Sequence, residues 1–160
     1  MKNIFRIALI FFGIALLAAC TKEEIKTKEN DKNPPVGDIP EIELLNVTPT
    51  TVRQYVDSIA FTIKYIDGNG DLGNADPDIP SITLIDNRDP DLLVFHYHLS
   101  PRTPEGSDLA IQGELTIVLA SSILLNSANE TESTTFSISL TGRAGNESNI
   151  VETGSITITQ

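Results

Sequence analysis

The sequence contains no tryptophan, a single methionine at the start, and one cysteine, Cys20. One cysteine has no intramolecular partner, so no disulfide within the chain supports the fold. His96 and His98 are the only histidines. No Ser-His-Asp order, phosphate-cradling glycine loop, dinucleotide fingerprint or activated cysteine is present, and the chain is expected to be non-enzymatic. Basic residues are also few: 11 lysines and arginines stand against 22 aspartates and glutamates, a net charge of −11. Such a surface repels phosphate backbones, which excludes nucleic acid as an expected partner. Long apolar runs are missing as well. The one at Ile7 to Leu17 is too short to span a bilayer comfortably, and charges follow it closely.

What is present divides the 160 residues into three parts: a leader (1–19), a tether (20–40) and a domain (41–160). Lys2 and Arg6 followed by the apolar run have the form of a cleaved secretory signal. Leu17-Ala18-Ala19-Cys20 resembles the bacterial lipobox, in which the cysteine is acylated and becomes the new N-terminus. That resemblance implies several acyl chains on Cys20, enough for stable membrane anchoring where one chain is marginal. Thr21-Lys22-Glu23-Glu24 resembles the surface-export signal of Bacteroidota lipoproteins. It implies display on the outer face of the outer membrane, with a periplasm-facing anchor as the alternative. Residues 21–40 are charged, lack hydrophobic periodicity and end in Asn33-Pro34-Pro35-Val36-Gly37-Asp38-Ile39-Pro40, the composition of a solvated linker with a stiff end. Residues 21–33 hold four charges of each sign, so the acidic excess falls on the domain.

From residue 41 the apolar period becomes two. Ile42 and Leu44, then Ile59, Phe61, Ile63 and Tyr65, then Ile82 and Leu84 open three strands. Leu93 to Leu99, Leu115 to Leu119, Phe136 to Leu140 and Val151 to Ile158 supply four more, the last with a bulge expected at Gly154. Ser121 to Leu125 is expected to form a single helical turn. About seven strands with turn signals between them indicate an all-β, immunoglobulin-like antiparallel sandwich. The Cys…Trp…Cys core of antibody domains is absent, so the likeness is one of architecture.

In such a sandwich the loop after the second strand and the loop after the sixth lie at one end. The first holds Asp67, Asn69, Asp71, Asp76 and Asp78, and the second holds Asn146 and Glu147. Alternating oxygen-bearing side chains among glycines suit a hard cation such as Ca²⁺. Asp67, Asn69, Asp71 and Asp78 fall at the first, third, fifth and twelfth positions of an EF-hand loop. Leu72 stands where that loop needs glycine, and strands flank it instead of helices. The same residues equally form a turn in which Asp and Asn bond their own backbone. His96 and His98 share one strand face and have no evident third ligand, so an exposed face fits them better than a zinc site. Asp57-Ser58-Ile59 fits the short pattern that Bacteroidota use for O-glycosylation, at Ser58.

The lipobox, the segment Tyr65-Ile66-Asp67-Gly68-Asn69-Gly70-Asp71-Leu72-Gly73, and Arg143-Ala144-Gly145-Asn146-Glu147-Ser148-Asn149 together resemble a family of small Bacteroidota lipoproteins with an immunoglobulin-like domain. Members often carry an acid just before the Arg-Ala-Gly-Asn segment; here Thr141-Gly142 stands there, which removes a cross-loop carboxylate. The resemblance implies a location and a fold, and no reaction. The expected role is non-enzymatic binding or accessory work in the envelope, with an unidentified envelope protein or glycan as partner. The alternative is a calcium-dependent glycan- or protein-binding adhesion module.

Overall fold

A computed structural model describes residues 37–160. The leader, Cys20 and most of the tether lie outside the described residues. Ten strands follow one another: β1 (Glu41–Thr48), β2 (Thr51–Arg53), β3 (Ile59–Asp67), β4 (Ile82–Asp86), β5 (Val94–Tyr97), β6 (Ile111–Leu119), β7 (Thr131–Thr134), β8 (Phe136–Leu140), β9 (Val151–Glu152) and β10 (Ile156–Thr159). No helix occurs among the described residues, and so none that is long and apolar enough to cross a membrane.

The strands form an all-β, largely antiparallel sandwich. One layer has the order β1-β3-β6 and the facing layer β5-β4-β8-β9. A third, smaller sheet, β2-β10-β7, contains the one parallel pairing among the described residues, between β2 and β10. Alternation on β3 places Ile59, Phe61, Ile63 and Tyr65 inward, where they meet Ile82 and Leu84 of β4 and Phe136, Ile138 and Leu140 of β8 in one core. Phe61 and Phe136 pack edge to face across the layers, with ring centroids 5.1 Å apart, the geometry that the ring quadrupoles favour.

Three expectations are corrected. The strand at residues 151–158 is two strands, not one strand bulged at Gly154. β9 pairs with β8, the backbone and hydroxyl of Thr153 then bond the backbone of Phe136, and β10 goes on to pair with β7 and β2. Residues 121–125 make no helical turn. The amides at the end of this stretch are claimed by side chains: Gln54 accepts from Leu124, and Glu132 from Leu125 and from the next residue, Asn126. Ser122 and Leu124 are buried alternately, as in extended chain. The strand count rises from about seven to ten among the described residues: the division into β9 and β10 adds one, and β2 and β7, which each carry little apolar periodicity, add two.

The inward rows of two neighbouring elements end on aspartate. On β3 the row Ile59-Phe61-Ile63-Tyr65 continues to Asp67, and on β4 the row Ile82-Leu84 continues to Asp86; both are buried. The segment after β3 bonds near the start of β4, so these two carboxylates cap opposite poles of the core.

Candidate functional site

At the first pole, residues 67–80 and 142–149 meet, as the order of strands leads one to expect. Leu72 and Gly142 form an isolated bridge, and Asp71 is the hinge between the loops. The carbonyl oxygen of Asp71 accepts the N–H of Arg143 at 3.0 Å, and its Oδ2 accepts the N–H of Ala144 at 2.9 Å. The guanidinium of Arg143 returns to the first loop. It donates to the carbonyls of Gly70 (3.3 Å) and Gly73 (3.1 Å) and to the hydroxyl of Thr103 (3.3 Å). That hydroxyl in turn donates to the Gly70 carbonyl. Arginine suits this task because its planar fork spreads several donors over neighbouring acceptors. Gly142 is required here: a Cβ on it would lie 2.1 Å from Asp71 Oδ1. Gly73 has φ of 83° and faces the Ser100 carbonyl, a conformation and a space that exclude side chains.

Asp67 lies deeper. Its Oδ2 accepts the N–H of Leu72 at 3.1 Å. Its Oδ1 and the Oδ1 of Asp71 are buried with no hydrogen-bond partner among the described residues. Burial pushes the Asp67 carboxyl above its ordinary value; the Leu72 N–H opposes the shift, and the charge on Asp71 adds to it.

The structure divides the seven candidate ligands. Asp67 and Asp71 are buried together. Asn69 accepts the N–H of Asp71 at 3.2 Å and forms the turn between them. Asp76 and Asp78 are exposed, and each closes a small side-chain-to-backbone turn: Asn74 accepts from Asp76, and Asp76 from Asp78. Asn146 donates to the Asp38 carbonyl at 3.2 Å, and Glu147 points to solvent. Among the described residues no group of three or more His, Cys, Asp or Glu side chains is placed to hold a metal ion. The pole thus offers two carboxylates with a free oxygen each, beside backbone carbonyls already occupied by Arg143. His96 and His98 are exposed; His98 contacts the Asn74 carbonyl at 2.7 Å. Ser58 is exposed beside Asp57, whose carboxylate is held by Arg53 at 3.1 Å.

The opposite pole escapes a reading of the sequence. Arg88 lies between Asp86 and Glu132, at 2.5 and 2.7 Å, with all three side chains nearly buried. Thr134 also donates to Asp86. Glu132 accepts the N–H groups of Leu125 (2.8 Å) and Asn126 (2.7 Å), which hold its carboxyl down at about 2. Two concavities flank Arg88: one of about 330 Å³ lined by hydroxyl and amide groups of Asn87, Ser133, Thr134, Thr135 and Ser155, and a cleft of about 180 Å³ walled by Leu93, Phe95, Leu119 and Ile123. Asp86-Asn87-Arg88-Asp89-Pro90 reads as a turn. The signal that it is more is the place of Asp86, next in an inward row after Ile82 and Leu84.

No protein-family model, curated protein or solved structure matches this chain.

Proposed function

We propose that the protein is a lipid-anchored envelope protein that holds a rigid β-sandwich away from the outer membrane. It binds another envelope macromolecule, a protein or a glycan, through the loop pole and catalyses no reaction. The location rests on Leu17-Ala18-Ala19-Cys20 after an apolar run, and on the charged, proline-ended tether. The binding role rests on one structural observation: Asp71 and Arg143 fasten two long loops into a single surface. Loops ordered beforehand lose little entropy when a partner docks, which is how a fixed surface favours recognition. Outward display is the reading of Lys22-Glu23-Glu24. Mass spectrometry of the mature N-terminus tests the anchor: acyl groups on Cys20 are expected, and an unmodified or uncleaved terminus overturns it. Protease treatment of intact cells should remove the domain if it faces outward.

A second reading, calcium-assisted binding at the same pole, is favoured by the partnerless Oδ1 atoms of Asp67 and Asp71. Two buried carboxylate oxygens without donors attract a cation or a proton. Asp67, Asn69 and Asp71 would be its core, with Asp76, Asp78, Asn146 and Glu147 reached by rearrangement. Calcium in tenfold excess over its dissociation constant would add about 1.4 kcal/mol of stability. The expected result is a higher unfolding midpoint in Ca²⁺ than in EGTA, with the difference lost in Asp67→Asn. Equal midpoints for the unaltered chain would eliminate this reading.

A further inference from the structure

The β1-β3-β6 layer ends on a bare strand. β6 pairs with β3 without interruption from Ile111 to Leu119, and no hydrogen bond among the described residues reaches its other edge. The opposite edge of the layer is managed. β1 is bulged between Leu44 and Asn46, and the amide of Asn149 bonds both backbone groups of Ile42. β5, at the edge of the facing layer, has only four residues. β6 has nine, with no proline, lysine or bulge and one charge, Glu114. Short length, bulges, prolines, charges and side chains over the backbone keep an edge from pairing with another chain, and of these β6 has only the single charge of Glu114. Its flank is also incompletely covered: Ile111 and Leu115 face inward yet remain half-buried, and Val118 is 48% exposed on the outer face.

We propose that β6 is a dimerisation edge, pairing antiparallel with β6 of a second copy about a two-fold axis through Leu115. The strand is complementary to itself in that register. Ile111 falls opposite Leu119 of the second copy, Gly113 opposite Ile117, and Leu115 opposite its own mate, so half-buried Ile111 and Leu115 gain cover beside Ile117 and Leu119, which are already buried. On the outer face Gln112 meets Val118 and Glu114 meets Thr116. No like charges stand directly opposite one another, which matters in a chain of net charge −11; the two copies of Glu114 are diagonal neighbours, each with Lys64 beside it in its own layer. Glu114 already stands opposite Lys64 of β3, which it shares with Glu43 of β1, so the one charge on this edge has a cation beside it within the layer. Ile111 of the second copy also arrives beside Leu119, at the cleft walled by Leu93 and Phe95. The two three-stranded layers become one six-stranded sheet, joined by an isologous interface.

Thr116 tests both the interface and its register, because it is exposed and its neighbour within the chain is Thr62. Sedimentation equilibrium of the full chain, in density-matched detergent with micelles in excess, should show a monomer–dimer equilibrium. Thr116→Glu places a carboxylate opposite Glu114 twice over and should weaken dimerisation about tenfold; Thr116→Lys places an ammonium there and should strengthen it several-fold. Unfolding midpoints of both variants check that the fold is kept. A chain that stays monomeric at all concentrations overturns the proposal and leaves the edge to a different partner. Equal or same-direction effects of the two substitutions overturn it too, because they separate dimerisation from this register.

Discussion

Gly142 shows how much of the loop pole rests on a missing side chain. The Asp71 carboxylate reaches Ala144 by passing so close to Gly142 that any Cβ would occupy the space of its Oδ1. Positive φ plays no part here; the constraint is proximity alone. Gly142→Ala must displace Asp71, which loses its bond to Ala144, or push the second loop outward. Either response combines overpacking with a broken charge-assisted hydrogen bond, so destabilisation of about 2–4 kcal/mol is expected in chemical denaturation. Gly145→Ala is the control of different origin. No neighbour among the described residues obstructs a Cβ there, but φ is 84°, so only the smaller cost of a left-handed alanine, about 1 kcal/mol, applies. Equal costs at the two positions would show that Asp71 is not held as described.

At the scale of elements, legibility followed hydrophobicity. β3, β4 and β8 bury aliphatic or aromatic residues at every second position, and their alternation is plain in the sequence. β7 is Thr-Glu-Ser-Thr, and its inward positions are Glu132 and Thr134, which serve Arg88 and Asp86. A strand that buries polar groups shows no apolar period, so β7 escapes a rule built on burying oil. β2 has Val52 as its one buried residue and is too short for any period to register. The loop pole divides along the same line. Its acidic residues and glycines are visible in sequence, and so is the meeting of the two loops once strands are ordered. What cannot be read is which carboxylates turn inward: Asp67 does because it continues the phase of β3, whereas Asp76 and Asp78 belong to no strand and stay in water. The role of Arg143 is likewise hidden, because its acceptors other than the Thr103 hydroxyl are backbone carbonyls, which have no letter of their own.

For the molecule as a whole, the two poles impose opposite dependences on pH. Glu132 is held down at about 2, from an ordinary 4.5, by backbone N–H groups of Leu125 and Asn126. A depressed carboxyl contributes stability that is present above its unfolded value and lost as pH falls through its folded value. The Asp86–Arg88–Glu132 pole therefore weakens between about pH 4.5 and 2. Asp67 is shifted the other way by burial, so its contribution is present below the ordinary carboxylate value and lost as pH rises through the elevated one. Denaturant-derived stabilities from pH 2 to 8, measured in EGTA, should separate the two. Glu132→Gln is less stable than the unaltered chain at neutral pH, and the gap narrows as pH falls from 4.5 toward 2. Asp67→Asn keeps an acceptor for the Leu72 N–H without a charge; it is more stable than the unaltered chain at pH 8, and the difference closes in acid. If Asp67→Asn is instead the weaker protein at pH 8, then the Asp67 charge is balanced by a favourable partner and the assignment of this pole as the alkaline liability fails.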